Sequence, residues 1–303
     1  MGGTALLHLN VQRLSKSKYI DITNEINEII HQYYEFAFIP LQFPTKESFG
    51  DVDILVSNKL KEVDIESKGR VENGNVTSIE YKGAQVDFIY IPQDAFNYSK
   101  IIYSWGEFGQ ILGMCCRCYG LKSSYNGLSL KNPPFYLSND PKRVFEFLDL
   151  DMDTYTTGFA NEIECFKYFM TSKYFKCIQM SEKAKYRDTV KNYLAFTKNY
   201  QETHTVIIKD IDPIDNHLRK TAIHFFNKEK EFNDNQVELE NSVNYSKLVN
   251  GNIISTITGY TGKELGSFIN QFSLKYSKKD ILSKNENEVE SLIHSFNNDF
   301  IIK

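Results

Sequence analysis

The sequence predicts an α+β protein, with a mixed-sheet N-terminal lobe over residues 1–140 and a helical lobe over 141–303. Three observations carry this expectation. Short runs of β-branched and aromatic residues, separated by Asn-Gly and other turn signals, recur between Ser48 and Leu137. Beyond residue 140, apolar residues recur mainly at helical spacing. Asp140-Pro141 marks the change, because aspartate is a good N-cap and proline suits the first helical position. At 303 residues the chain is long enough for two such lobes.

The first expected element is a helix over 19–36, capped by Asp21 or Thr23, with Ile26, Ile29, Ile30 and Tyr33 on one face. Phe38 to Phe43 reads as extended, at a sheet edge, since Pro40 cannot donate to a ladder. A strand-like run follows, Ser48-Phe49-Gly50-Asp51-Val52-Asp53-Ile54-Leu55-Val56. The Asn73-Gly74 turn signal leads into strands near 76–82 and 84–91. Helices are expected near 94–103 and 106–119, then a hairpin over 121–130 through Asn126-Gly127 and a short strand at Phe135–Leu137. In the second lobe helices are expected near 141–148, 160–170, 181–199, 213–230, 244–249, 261–274 and 286–298. The polar stretch 231–243 reads as a loop or insertion, and the chain shows no internal repeat.

The chemistry is carried by three aspartates. Residues i and i+2 of a strand share a face, so Asp51 and Asp53 present two carboxylates together while Val52, Ile54 and Val56 face a core. Adjacent carboxylates repel unless a cation or proton lies between them, and carboxylate oxygens are natural ligands of Mg²⁺. Asp87 is the one charge in the apolar run Gly83–Pro92, where it is costly unless paired or metal-bound. If that strand lies beside Asp51–Val56, the three carboxylates form a site for two divalent ions about 3.5–4 Å apart, as in phosphoryl transfer. Taken singly, each aspartate also reads as a solvated or satisfied strand-end residue. A further element, Gly2-Gly3-Thr4, offers backbone N–H donors and a hydroxyl to a phosphate.

Together these pieces resemble the polymerase-β-like nucleotidyltransferase superfamily, which carries a glycine turn, a strand with Asp-x-Asp and a later strand with a third aspartate. The start Met-Gly-Gly-x-Ala-Leu and the run Pro44 to Asp53 are similar to a branch of it found in viruses and fungi. The likeness covers roughly the first half of the chain. Here residues 10–43 separate Gly2 and Gly3 from Asp51, whereas the superfamily sets the turn much closer. The resemblance implies a Mg²⁺- or Mn²⁺-dependent transfer of NMP from a nucleoside triphosphate to an acceptor hydroxyl. Asp51, Asp53 and Asp87 would hold the metals. Gly2, Gly3, Thr4, Lys46, Ser48, Ser104, Lys122 and Tyr125 would touch the nucleotide. The implied acceptor is an RNA 3′ end, extended without a template. A protein or small-molecule acceptor is the first alternative, and a non-catalytic nucleotide or RNA binder the second.

Residues 167–198 interleave lysines and Arg187 with tyrosines and phenylalanines. Lys183, Lys185, Arg187 and Lys191 could neutralise phosphates while exposed aromatics stack on bases. An amphipathic helix pair with its aromatics in the core fits the pattern equally well. Gly262-Lys263-Glu264-Leu265-Gly266 resembles a turn-helix near the C-terminal region of tRNA nucleotidyltransferases, and adds Lys263 as an RNA contact on a helix led by Thr261.

The formal net charge of −4 argues against a generally basic nucleic-acid coat but permits a local basic face. Cysteines at 115, 116, 118, 165 and 177 are odd in number and follow no zinc spacing, so they read as reduced core residues of a cytoplasm-like compartment. No apolar run of transmembrane length and no signal-peptide pattern are present, and a viral origin suits the resemblance. There is no phosphate-binding P-loop motif and no nucleophile elbow. Protein partners are not specified by any motif.

Overall fold

The computed structural model describes residues 5–117, 119–172, 188–203 and 216–300. It is built of both helices and strands, with a mixed sheet at its centre. In chain order the first elements are β1 (Leu14–Ser15), α1 (Lys16–Ile30), β2 (Tyr34–Phe38), β3 (Ser48–Phe49), β4 (Val52–Lys59), β5 (Arg70–Asn73), β6 (Val76–Tyr81) and β7 (Ala84–Tyr90). Next come α2 (Phe96–Tyr103), α3 (Phe108–Arg117), β8 (Leu121–Ser124), β9 (Gly127–Leu130) and β10 (Phe135–Ser138).

The central sheet runs β2-β4-β7-β6-β5. β4 and β7 are parallel, and the other neighbours are antiparallel. β4 shows why the period-2 reading works. Val52, Ile54 and Val56 join Val86, Phe88 and the buried face of α1 in one core. Leu55 joins Ile89, Ile91 and Phe96 in another on the opposite face. Each such side chain contributes about 1.5–3 kcal/mol when fully buried. β1 pairs with β3 in a two-stranded ribbon just ahead of β4.

Two N-terminal expectations are corrected. The first helix begins at Lys16, and its cap is Ser15, whose hydroxyl accepts from the Lys18 N–H at 3.4 Å. Asp21 and Thr23 are interior to the helix. The helix also stops at Ile30 rather than 36, because the aromatic run Tyr34–Phe38 is drawn into the sheet as β2 beside β4. β2 is an edge strand, and Pro40 lies just past its end.

The hairpin through Asn126-Gly127 joins β8 to β9, and β10 completes a second sheet. Gly127 has φ +124°, and a Cβ there would meet the Ser138 carbonyl oxygen at 2.5 Å, so only glycine fits.

Helices then follow: α4 (Pro141–Phe147), α5 (Met152–Thr157), α6 (Glu162–Thr171), α7 (Asp188–Thr203) and α8 (Asn216–Phe225). Asp140 caps α4 as expected, its carboxylate accepting from the Lys142 and Arg143 N–H groups. Residue 140 marks a change of secondary structure and not of compact unit. Phe108 of α3 packs against Phe145 of α4, Tyr155 of α5 and Phe169 of α6, with ring centroids 6.4, 5.1 and 4.7 Å apart. This shared aromatic core binds the early helices to the sheet-bearing half. The compact units are residues 1–227 and 228–303.

The second unit holds α9 (Glu229–Leu248), α10 (Gly251–Thr258), α11 (Gly262–Lys275), α12 (Lys278–Leu282) and α13 (Glu286–Asp299) around Ile254, Phe268, Phe272 and Ile293. The expected loop at 231–243 is therefore the body of a 20-residue helix. It has no fully buried residue, but its Glu, Gln, Lys and Leu content and its lack of Gly and Pro favour helix without an apolar stripe. Cys115, Cys116 and Cys165 are buried thiols outside any disulfide, whereas Cys118 and Cys177 lie outside the described residues. Among the described residues no helix is long and apolar enough to cross a membrane.

Candidate active site

Parallel pairing of β4 with β7 places Asp53 directly opposite Asp87. Asp51 precedes β4 and shares the face of Asp53. One carboxylate oxygen from each of the three lies within 4.8 Å of the others. The same sheet face continues into Leu55, Ile89 and Ile91, so the partly buried carboxylates stand at the rim of an apolar floor. Like charges set opposite one another on neighbouring strands are destabilising. The donor set is all oxygen, the kind hard cations prefer, and its atoms lie close enough together that they could hold a metal ion.

Asp87 is held by two side-chain donors. Ser78, directly opposite on β6, and Gln85, two residues earlier on β7, both donate to its carboxylate. Burial raises its pKa, those two hydrogen bonds lower it, and Asp51 raises it again, with a net shift upward.

A cationic and aromatic rim comes from the loop before β4. The Lys46 ammonium donates to Gln42 Oε1 at 2.7 Å and lies 4.6 Å from the centre of the Phe49 ring. Phe49 stacks on Tyr19 of α1 at 3.8 Å between centroids. Burial pushes the Lys46 pKa down, while the nearby Asp51 and Asp53 pull it up. Tyr19 is raised by burial first and then by Asp53 and Asp51. Tyr103 of α2 is raised by burial and by Asp53. Arg13, just before β1, donates from Nε to Ser48 Oγ at 3.0 Å and is close enough to disfavour the Lys46 charge. The rim thus carries two cations beside three anions, an arrangement able to take a polyphosphate on one side and metal on the other.

No protein-family model matches the chain, and no curated protein matches it. The reading of the site therefore rests on its own geometry.

Of the other sequence-derived site residues, Lys46 and Ser48 lie on this rim. Ser104 does not present itself to a ligand: it is fully buried, and its hydroxyl accepts from the Leu41 N–H at 3.1 Å, fixing the segment that leads to Gln42. Tyr125 sits in the β8–β9 turn and packs against the Leu55–Ile89 floor, and Lys122 is exposed on β8. Gly2, Gly3 and Thr4 lie outside the described residues, as do Lys183, Lys185 and Arg187. Lys191 is exposed on α7 and pairs with Asp188 at 2.9 Å. Lys263 is exposed in the first turn of α11, where Thr261 makes no side-chain capping bond. Tyr168, Phe169 and Tyr193 of the basic-aromatic stretch are core residues, so these three offer no stacking platform.

Sequence reasoning missed Arg13, Tyr19, Gln42, Ser78, Gln85 and Tyr103. Gln85 alone carried a signal, since it precedes Asp87 by two on the same strand. The others reach the site from separate elements, and their positions depend on tertiary packing.

Proposed function

We propose that the chain is a divalent-metal-dependent nucleotidyltransferase of the polymerase-β-like type, moving a nucleoside monophosphate from an NTP to an acceptor hydroxyl. The observation that carries this reading is the in-register pairing of Asp53 with Asp87 across β4 and β7, with Asp51 on the same face. The mixed sheet, with α1 packed on one face and α2 on the other, supports placing the catalytic centre in the compact unit 1–227.

In this reading Asp51 and Asp53 would hold metal together with the triphosphate, and Asp87 would join them on the acceptor side. Bound Mg²⁺ or Mn²⁺ supplies charge stabilisation at the transferring phosphate and acidifies the acceptor hydroxyl. The new bond joins the acceptor oxygen to the α-phosphorus, the α–β phosphoanhydride breaks, and pyrophosphate leaves. The hydroxyl proton would pass toward the Asp87 carboxylate. Lys46, with its ammonium already partly stripped of water, offsets charge on the triphosphate, and Arg13 extends that cationic edge.

We infer an RNA 3′ end as the acceptor, supported by the exposed lysines Lys167, Lys191 and Lys198 on α6 and α7. One observation favours a protein or small-molecule acceptor instead: Tyr168, Phe169 and Tyr193 are buried and cannot stack on bases. Incubation with each labelled NTP, Mg²⁺ and total RNA, resolved by size, separates the readings. Label in RNA supports the first and label in protein or a small product the second. Binding without transfer leaves a nucleotide or RNA binder.

A further inference from the structure

Gln85 links the N-terminal segment to the acidic cluster. Its side chain is 2% exposed, on the face of β7 that carries Asp87. Its amide nitrogen donates to Asp87 Oδ1 at 2.9 Å and Oδ2 at 3.0 Å. Its amide oxygen accepts from the backbone N–H of Leu6 at 3.2 Å, and Leu6 is fully buried. The orientation of the amide is fixed by these partners, because turning it over would set donor against donor and acceptor against acceptor. A buried amide that loses either partner pays the desolvation of the orphaned group, so each bond favours the amide orientation that the other needs.

We propose that Gln85 is a positioning residue that couples seating of the chain at Leu6 to the orientation of the Asp87 carboxylate. The inference rests on the metal-binding reading of the three aspartates. A carboxylate turns easily about its last torsion. A donor spanning both oxygens sets the plane in which the remaining lone pairs face Asp53 and a cation. Partners of this kind behind a ligand commonly govern metal affinity. The coupling is reciprocal: whatever a cation does to Asp87 is felt at Leu6, and release of Leu6 weakens the cation.

The test uses the full chain and two readouts that need no turnover. Free Mn²⁺ is counted by electron paramagnetic resonance, and amide exchange is followed in the peptide containing Leu6. In the native chain Mn²⁺ binds, and exchange at Leu6 slows when it does. Gln85→Met, close in volume but without donor or acceptor, loses about 10–100-fold in Mn²⁺ affinity, and its Leu6 exchange ignores the metal. A Leu6 amide indifferent to Mn²⁺ in the native chain overturns the coupling whatever the variant does, and that arm also decides the matter if Gln85→Met does not fold. Unchanged Mn²⁺ affinity in Gln85→Met overturns it as well. If the native chain and Asp53→Asn alike bind no Mn²⁺, the metal reading itself fails and this inference with it. Binding by the native chain alone keeps that reading and isolates the question of Gln85.

Discussion

At Asp87 burial and hydrogen bonding act in opposite directions, and burial prevails. A carboxyl raised on folding makes the native state the tighter proton binder. Its contribution to stability is therefore present below the ordinary value of 3.8 and is lost as pH rises through the raised native value. Asp87→Asn, whose amide oxygen can still accept from Gln85 or Ser78, removes this penalty. In EDTA at pH 7 the variant is expected to melt at or above the native temperature, with the gap closing toward pH 4. With Mn²⁺ the order is expected to reverse, because the native chain gains more binding energy than the variant. A variant clearly less stable than the native chain in EDTA at pH 7 would show that the carboxylate is structurally required. Lys46→Met tests the rim: a non-hydrolysable NTP should bind about tenfold or more weakly by calorimetry, as loss of a charge-assisted bond implies, with Mn²⁺ affinity alone undiminished. Equal loss for both ligands would show that Lys46 maintains the carboxylate cluster rather than contacting the nucleotide. Asp51 and Asp53 were legible as a pair because strand alternation is local; Asp87 stood out as the one charge in an apolar strand, but its place beside them depended on the non-local pairing of β4 with β7. Arg13, Gln42 and Tyr19 were not legible, because no local rule sets α1 and the 40–47 loop against β4.

Elements were legible where a local signal and the packing agreed. Asp140-Pro141 is such a place, and its contribution is measurable: Asp140→Ala is expected to cost about 0.5–2 kcal/mol in urea unfolding, the usual range for a lost N-cap. An unchanged midpoint would mean that Pro141 and packing alone set the start of α4. The misread elements follow a physical pattern. Tyr34–Phe38 continues the apolar spacing of α1, yet its aromatic side chains find a partner strand in β4, and a tertiary ladder outweighs weak helix propensity. At α9 the reverse error arose, since a search for apolar periodicity passes over a helix whose residues favour the conformation without an apolar stripe.

For the whole molecule, composition and turn signals sufficed to read helices and strands mixed, but not where the compact units divide. That division depends on Phe108, Phe145, Tyr155 and Phe169 finding one another, which no local pattern records. The separate core of residues 228–303 makes a prediction for the full chain. Phe268→Ala should destabilise that unit by about 3–5 kcal/mol, seen as faster amide exchange in α10, α11 and α13, while Mn²⁺ affinity stays at the native value. A parallel loss of Mn²⁺ affinity would tie the second unit to the site. The sheet order has a kinetic consequence. β4 and β7 are neighbours in space, yet the whole β5–β6 hairpin lies between them in the chain. A growing or refolding chain must bring β7 between β4 and β6, across the intervening hairpin, before Asp53 has Asp87 to face. A pairing of such sequence separation is expected to form late in folding and to be lost early in unfolding. In stopped-flow experiments Mn²⁺ should slow unfolding and leave the refolding limb almost untouched, as interactions absent from the transition state do.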